Sequence, residues 1–440
     1  MAEALLLAGG SVVRPSGLER ADVLVIDGVI ASIGSGLDAP SGARVLDAAD
    51  CWVGPGLVDL HTHLRQPGGE EAETVDSGAW AAIAGGYTAV VAMPNTEPAI
   101  DSAGVARDVL ALGRGAVAEV AVSGAITIGR DGERLAPMAA MAALGVTIFT
   151  DDGTGVQDAG LMRRAMEYAR GLGVTLAEHC EDESLAQGGC MNESGLSARL
   201  GLVGRPALAE EAMVARDLLL AEATGCRLHL LHLSTARSVA LCVAARARGV
   251  AVTAEVAPHH LTLTEECCSS YDTTFKVHPP LRSAADVAAL VEALRSGSLD
   301  AVATDHAPHA PQAKDRPFDE ASPGMLGLET ALALSIEALG GETADPIQVF
   351  DVLSRGPARI AKLTERDARV AGYSAQGGAL EPGEVANLCV VDPAARRVVR
   401  SSELQSRATN TPYEGRTLRG SVRHTVAKGR AVKVDEEVLR

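Results

Sequence analysis

The stretch "DLHTHLRQP", residues 59–67, places His61, His63 and Arg65 at alternate positions directly after an apolar run. In an extended segment, alternate side chains leave the backbone on the same face, about 6 to 7 Å apart. Two imidazoles at that spacing can bind one metal ion, although a strand with polar side chains on a wet face would show the same short pattern. The pattern alone leaves both interpretations open.

Four further segments place candidate metal ligands where a short apolar run ends. They are "FTDDG", "AEHCE", "LLHLS" and "ATDHAPH", and they contain Asp151, Asp152, His179, His232 and Asp305. Nitrogen and oxygen ligands without cysteine suit zinc or a related divalent ion. Together with His61 and His63, these residues are more than one tetrahedral metal site can hold. Taken singly, each residue could be a core histidine, a helix cap or a turn residue. Their occurrence at successive strand ends favours a site with two metal ions.

The segments that must position these residues alternate between short apolar runs and Ala/Leu-rich helical stretches, from residue 54 to about 340. This alternation is typical of βα units in a parallel sheet. The predicted strands end near Asp59, Met93, Ala125, Thr150, Glu178, Leu231, Glu255 and Thr304. Eight strands in a span of roughly 250 to 300 residues favour an α/β fold with a closed (β/α)₈ barrel, whose carboxyl-terminal rim would carry the ligands. The pattern alone does not exclude a doubly wound open sheet.

The sequence pattern at the two ends of the chain differs from that of residues 54 to about 340. "ADVLVIDGVIASIG", residues 21–34, and "TVAKGRAVKV", residues 425–434, each predict a hairpin. Each piece alone has too few strands to be stable. We therefore predict one small β-sandwich domain built from residues 1–53 and 379–440, and a barrel domain formed by residues 54–378.

The bulk composition restricts the partners. A formal charge of −18 over 440 residues disfavours nucleic acid and anionic membranes, but one arginine can still hold a small anionic substrate. The eight cysteines form no C-x-x-C pair, and "MAEALLLAGG" has neither a basic leader nor a run long enough to span a membrane. We expect free thiols and a cytoplasmic location.

The remaining histidines of the middle part carry weaker signals. His229 has opposite strand parity to His232, and His306 to Asp305, so we expect both to face away from the ligands. His259 and His260 in "APHH" could support the metal ligands from behind.

Seven segments together carry a family resemblance: "DLHTHLRQPG", "AMPNTEP", "FTDDGTGVQDA", "AEHCED", "HLLHLSTARS", "VTAEVAPHHL" and "ATDHAPHAPQAK". They closely resemble dihydroorotases of the long bacterial type, in the amidohydrolase superfamily. The resemblance spans nearly the whole chain, including "GALEPGEVANLCVVDP" near the end. It implies the reversible cyclisation of N-carbamoyl-L-aspartate to dihydroorotate, a step of pyrimidine biosynthesis.

The resemblance also implies the metal ligands. One zinc ion would be held by His61, His63 and Asp305, the other by His179 and His232, and Asp152 would bridge them, because its distance to His179 in the sequence matches the family's spacing. Asp305 would also act as the general acid and base. Related hydantoinases, dihydropyrimidinases and allantoinases use a carboxylated lysine as the bridge. Since this chain has no lysine before Lys276, the aspartate-bridged dihydroorotases are favoured.

Substrate contacts follow from the same resemblance. They are His63, Arg65, Asn95, His309 and the backbone near Pro323 and Gly324. A guanidinium fork and an amide suit a substrate carboxylate. One departure stands out, because the family usually has Asn before "PPLR" whereas this chain has His278. Histidine can donate one hydrogen bond but cannot reproduce the paired donor and acceptor of an amide, so this contact stays open.

Two alternatives remain beside the dihydroorotase hypothesis. One is another cyclic amide hydrolase, hydantoinase-like or allantoinase-like, for which His278 is the hint. The other is a non-catalytic homologue that scaffolds aspartate carbamoyltransferase, which the complete ligand set disfavours. We expect a small-molecule substrate, no nucleic acid and no membrane, with a homodimer or association with aspartate carbamoyltransferase as the candidate assemblies.

Overall fold

The computed structural model describes residues 4–364 and 372–440. The strands in chain order are β1 (Ala4–Arg14), β2 (Gly17–Ile26), β3 (Val29–Gly34), β4 (Arg44–Asp47), β5 (Trp52–Pro55), β6 (Leu57–Thr62), β7 (Tyr87–Ala92), β8 (Glu119–Val122), β9 (Ile148–Phe149), β10 (Thr175–Glu178), β11 (Met191–Asn192), β12 (Gly204–Arg205), β13 (Arg227–Leu230), β14 (Val252–Val256), β15 (Ala301–Val302), β16 (Leu388–Val398), β17 (Thr417–Ala427), β18 (Arg430–Val434) and β19 (Glu437–Val438).

Helices lie between most of the parallel strands. They are α1 (Val75–Ala84), α2 (Ala103–Gly113), α3 (Met138–Ala142), α4 (Ala159–Leu172), α5 (Glu183–Ala186), α6 (Gly195–Leu200), α7 (Ala207–Thr224), α8 (Ala236–Ala247), α9 (Pro258–Thr262), α10 (Ala284–Arg295), α11 (Pro311–Lys314), α12 (Ala331–Ala338), α13 (Pro346–Phe350) and α14 (Gly356–Ile360). No helix of the described residues is long and apolar enough to cross a membrane.

The parallel strands form two sheets, one of order β6-β7-β8 and one of order β9-β10-β13-β14-β15. Isolated parallel bridges connect the two sheets at both junctions, Gly124 with Phe149 and Thr62 with His306. All eight predicted strands are present, and each ends within three residues of its predicted end. The α/β class is confirmed, and the carboxyl ends of all eight strands lie at one rim.

Alternation along each parallel strand produces two apolar layers. Val58, Leu60 and Val91 pack together on the inner side of the strands, whereas Leu57 and Val90 belong to the larger cluster that includes the helices. Because both faces of these strands are covered, the strands read as nearly continuous apolar runs.

Helix ends follow local rules that keep the connections short. The Asp158 side chain accepts a hydrogen bond from the Leu161 amide at the start of α4, which is the N-cap arrangement. Gly173 and Gly225, with φ of 69° each, end α4 and α7 in the left-handed conformation that glycine adopts without steric cost. The next strand can therefore begin within a few residues of the helix.

A nine-stranded sheet combines strands from both ends of the chain, in the order β19-β18-β17-β16-β5-β1-β2-β3, with β4 paired to β1. The two halves meet where β5 pairs antiparallel with β16. Its apolar cluster includes Leu7, Val23, Val53 and Val390. The strands of this sheet lie within residues 4–55 and 388–438.

Candidate metal and substrate site

The carboxylate of Asp152 lies among four imidazoles. Its Oδ1 is 3.4 Å from His61 Nε2, 3.6 Å from His179 Nδ1 and 3.5 Å from His232 Nε2. Its Oδ2 is 3.6 Å from His63 Nε2. Asp152 therefore contacts both histidine pairs, which come from strand ends far apart in the sequence.

These residues fit divalent metal ions. The groups His61–His63–Asp152 and Asp152–His179–His232 each bring their ligand atoms within 4.8 Å of one another. The Nε2 atom of His61 is buried and has no hydrogen-bond partner within residues 4–364 and 372–440, and the residue is 0% exposed. A buried polar nitrogen without a partner is costly, and a metal ion would satisfy it.

Asp305 completes the cluster on the side of the first histidine pair. Its Oδ1 is 3.2 Å from His63 Nε2 and 3.6 Å from His61 Nε2, and its Oδ2 is 4.0 Å from His259 Nε2.

Asp305 has φ of 46° and His232 has φ of 28°. Such values are rare for residues other than glycine and occur where the surrounding structure enforces them. His232 lies two residues after the end of β13 and Asp305 three residues after the end of β15, so these backbone turns direct their side chains to the cluster.

The electrostatic environment keeps both carboxylates ionised. Burial acts to raise the pKa of Asp152, but the charge of His61 and hydrogen bonds to His179 and His232 hold it well below its ordinary value. Burial likewise acts to raise the pKa of Asp305, and the hydrogen bond to His63 and the charge of His61 hold it below its ordinary value. Ionised carboxylates are the form that binds metal.

Asp151, the neighbour of Asp152, has a structural role. Its Oδ1 accepts hydrogen bonds from the backbone amides of Ile126 at 2.8 Å and Thr127 at 3.1 Å, and its Oδ2 accepts from the Thr127 hydroxyl. The carboxylate thus holds the segment after β8. Of the two adjacent aspartates, only Asp152 reaches the histidines.

Glu255, at the end of β14, was missed as a functional residue in the sequence. Its Oε1 is 3.1 Å from His61 Nδ1 and its Oε2 is 2.9 Å from His229 Nε2. His229 Nδ1 in turn lies 2.8 Å from Thr253 Oγ1. Carboxylates in this position fix the ring orientation and tautomer of a metal-binding histidine. The available signal was an acidic residue inside an otherwise apolar strand, two positions from Thr253 and so on the same face.

The expectation that His229 faces the helices was wrong. His229 lies on the inner side of β13, because it contacts Glu255 on the neighbouring strand. Parity counted back from His232 fails because β13 ends at Leu230 and His232 has left-handed backbone. His306 does face away from the cluster, with its Nε2 at 3.5 Å from Glu73 Oε2.

A cavity of about 220 Å³ opens beside the histidine cluster. Its walls include these predicted site residues: His63, Arg65, Asn95, Asp152, His179, His232, His278, Asp305, His309, Pro323 and Gly324. His61 lies outside this lining and is fully buried behind it. The structure therefore brings the predicted substrate contacts and the predicted metal ligands to one place.

Arg65 and Asn95 reach the cavity in ways that strand alternation does not describe. β6 ends at Thr62, and Arg65 has φ of 59°. The Arg65 Nε donates to the Pro308 carbonyl at 3.1 Å, which leaves the terminal nitrogens of the fork for a ligand. Burial lowers the pKa of Arg65 to about 10, so the side chain stays charged at neutral pH. The Asn95 Oδ1 lies 2.9 Å from His63 Nδ1, so Asn95 also orients the ring of a candidate metal ligand.

His278 presents an unused nitrogen to this site. Its Nε2 is buried without a hydrogen-bond partner among the described residues, and the side chain lines the cavity. Burial lowers the pKa of His278 well below its ordinary value, and the charges of Arg205 and His179 act in the same direction. A neutral imidazole offers one donor and one acceptor.

Comparison with known proteins supports the family suggested by the motifs. A family model described as "Dihydro-orotase-like" matches residues 52–238. A dihydroorotase from Pelotomaculum thermopropionicum is 47% identical over 437 residues, which covers 99% of each chain. A dihydroorotase from Streptomyces coelicolor is 48% identical over 423 residues, which covers 95% of this chain and 96% of the relative.

Solved structures with the same fold are more distant in sequence. The L-hydantoinase (dihydropyrimidinase) from Arthrobacter aurescens has a TM-score of 0.87 at 24% identity, covering 100% of this chain and 98% of that one. The dihydropyrimidinase from Brevibacillus agri has a TM-score of 0.83 at 22% identity, covering 100% and 96%. At such identities the likeness shows the fold alone.

The assignment rests on the relatives that align from end to end at almost half of all positions. Their alignment covers both the parallel-strand region, with its candidate metal ligands, and the terminal sheet. The resemblance seen in the motifs is therefore confirmed, and the chain belongs to the dihydroorotase family, the cyclic amidohydrolases of the amidohydrolase superfamily.

Proposed function

We propose that this chain catalyses the reversible cyclisation of N-carbamoyl-L-aspartate to (S)-dihydroorotate in de novo pyrimidine biosynthesis. One observation carries the proposal: the Asp152 carboxylate lies within 3.6 Å of imidazole nitrogens from both histidine pairs. This is the arrangement that a carboxylate shared by two metal ions requires. Family membership then indicates which cyclic amide is the substrate.

The proposed cofactor is a pair of zinc ions. His61, His63 and Asp305 would hold one ion, His179 and His232 the other, and Asp152 both. When bound, such ions polarise an amide carbonyl and lower the pKa of a water molecule from 15.7 to about 7. The donor set of imidazoles and carboxylates without cysteine supports a divalent ion of this kind.

Asp305 is the proposed general acid and base. In ring opening, its carboxylate accepts a proton from the attacking water and delivers it to the leaving ring nitrogen. In ring closure, it accepts that proton from the carbamoyl nitrogen as the C–N bond forms, and delivers it to the hydroxide that leaves the side-chain carboxyl as water. Its place on the cavity wall and its ionised state support this role.

Arg65, Asn95 and His309 would bind the substrate carboxylate. The Arg65 guanidinium is half-buried, charged and held at its Nε by a backbone carbonyl. A preoriented fork of this kind loses little conformational entropy when it binds a carboxylate. His278 would donate its one N–H to a ring carbonyl, in place of the family's asparagine.

A hydantoinase-like activity is the nearest alternative, since solved structures of the same fold carry those names. The bridging position argues against it. No lysine precedes Lys276 in the sequence, and Asp152 stands between the histidine pairs. A scaffold without activity is disfavoured because the ligand set and the cavity are both intact.

We propose further that the eight parallel strands form one closed (β/α)₈ barrel of residues 54–378, supported by the two bridges that join the sheets. Residues 1–53 and 379–440 would form the β-sandwich domain, although β5 extends to Pro55.

All eight cysteines are free thiols, which supports a cytoplasmic location. A homodimer or an association with aspartate carbamoyltransferase is the proposed assembly.

The test compares three ring substrates in one absorbance assay. We expect turnover of dihydroorotate far above that of hydantoin and allantoin, and loss of turnover when a chelator removes the metal. Preference for hydantoin or allantoin would establish the alternative, and absence of turnover with all three, in protein loaded with metal, would contradict an enzymatic role.

A further inference from the structure

Lys314, the last residue of α11, is a buried lysine whose partners are carbonyls rather than carboxylates. It is 7% exposed. Its Nζ lies 2.8 Å from the Ser322 carbonyl, 3.0 Å from the Gly324 carbonyl and 3.4 Å from the Lys276 carbonyl. The ammonium group has three N–H donors, which matches the number of these acceptors.

The three carbonyls belong to two segments that line the substrate cavity. Ser322, Pro323 and Gly324 form one wall, and Lys276 directly precedes the wall residues Val277 and His278. The two segments are also joined by the Gly324 amide, which donates to the Lys276 carbonyl at 2.8 Å. Lys314 therefore connects both segments at a single point behind the cavity wall.

Other side chains hold the remaining groups of the same wall. The Pro323 carbonyl lies 2.8 Å from His309 Nε2, and the Asn410 Nδ2 donates to the Gly324 carbonyl at 3.2 Å. All three consecutive carbonyls of residues 322–324 are thus engaged by side chains. The backbone orientation of this wall is specified at each residue, and Lys314 supplies two of the contacts.

A charged group in this position is costly, which argues for a specific role. Burial, together with the nearby charge of Lys276, lowers the pKa of Lys314 to about 7. An apolar side chain such as methionine could fill the same volume without the desolvation cost. The hydrogen bonds of Lys314 can offset that desolvation cost only if a charged donor forms stronger hydrogen bonds than a neutral donor.

We propose that Lys314 is a positioning residue for the substrate: its ammonium group fixes the backbone of Ser322–Gly324 and the segment that leads to His278. This inference rests on the proposed function, since the wall matters only if the substrate binds against it. Without the ammonium, three buried carbonyls lose a donor and the wall is free to turn them toward water or the ligand. Substrate affinity would fall, while the candidate metal ligands, which share none of the hydrogen bonds of the Lys314 ammonium group, would be undisturbed.

The test is the Lys314→Met variant of the full chain, loaded with metal, with Lys433→Met as the matched control. Lys433 is also buried and also donates to a backbone carbonyl, that of Val422, in the terminal sheet. For K314M we expect the KM for dihydroorotate to rise about tenfold or more, with kcat changed less than about threefold, since hydrogen bonds to charged groups contribute at this level. Metal content should equal that of the wild type, and K433M should keep a wild-type KM.

Several outcomes would overturn the inference. They are an unchanged KM in folded K314M, a loss of metal from K314M, and an equal rise of KM in K433M. Should K314M fail to fold, Lys314→Leu, which likewise has no hydrogen-bond donor, is measured in the same way, and an unchanged KM there counts equally against the inference. If the wild-type protein itself does not turn over dihydroorotate, the proposed function fails; an active wild type with an unaffected variant removes only the role of Lys314.

Discussion

Replacing Glu255 with glutamine tests whether the carboxylate behind His61 supports metal binding. Glu255 contacts His61 Nδ1 at 3.1 Å and His229 Nε2 at 2.9 Å, and its Oε1 accepts the His232 amide at 3.4 Å. Glutamine keeps the shape but has one acceptor oxygen and no charge. Its NH₂ group would therefore face one of the two ring N–H groups without an acceptor.

The size of the effect follows from these contacts. Losing one hydrogen bond to a charged, buried carboxylate costs about 1.5–3 kcal/mol, which corresponds to roughly a 10- to 100-fold change in an equilibrium constant. The same range is typical when a residue that orients a metal-binding histidine is changed. We expect E255Q to bind zinc about 10- to 100-fold more weakly than the wild type, with the first histidine pair affected because His61 belongs to it.

The assay is a competition titration of the metal-free protein against a chromophoric chelator, with Glu119→Gln as the control. Glu119 is a buried glutamate that begins β8 and accepts hydrogen bonds from the Ser374 amide and hydroxyl, away from the site. E119Q should bind metal like the wild type. Metal affinity of folded E255Q within about threefold of the wild type would refute the assigned role, since a single lost charged hydrogen bond should exceed that.

Three further predictions concern the reaction, the substrate and pH. Asp305→Asn should give a folded protein whose dihydroorotate turnover falls by about 10²–10⁴, and near-normal kcat in a steady-state assay would exclude Asp305 as the base. Arg65→Ala should raise the KM for dihydroorotate at unchanged metal content, whereas loss of metal in elemental analysis would show that Arg65 is structural. Burial raises the pKa of Glu329 to about 7 from its ordinary value of 4.5. Between these two pH values the folded state keeps a proton on Glu329 that the unfolded state has released. This group should therefore lower the stability of the fold as the pH rises from about 4.5 to 7. Glu329→Gln should therefore show a smaller fall in Tm than the wild type over that window, and an identical fall in both proteins would contradict the assignment.

The parts of the site that the sequence predicted are those read from the ends of strands. His232 directly follows an apolar run, His179 and Asp305 each follow one after a single residue, and parallel strands bring such positions to the same end of the strands. The eight strands were predictable for the same reason, because their buried runs and the glycine-ended helices between them are local signals.

The parts that were missed depend on contacts between residues distant in the chain. Glu255 contacts His61 across 194 positions. The acidic residue stands out within "VTAEV", but nothing local identifies His61 as its partner. The placement of His229 was wrong because the left-handed backbone at His232 breaks the parity used to orient it. Arg65 likewise reaches the cavity by a left-handed turn after β6 ends, not by simple alternation with His61 and His63. Positive φ values of this kind at histidine and arginine are imposed by the surrounding structure, so residue type does not predict them.

Two metal ions joined by Asp152 are the core of the proposed dihydroorotate chemistry. The most direct test is a zinc titration of the metal-free protein, in which bound metal and dihydroorotate turnover are measured on the same samples. We expect turnover to rise until two ions are bound per chain, and Asp152→Asn to fail to reach this state. Full turnover with one ion per chain, or without metal, would contradict this expectation.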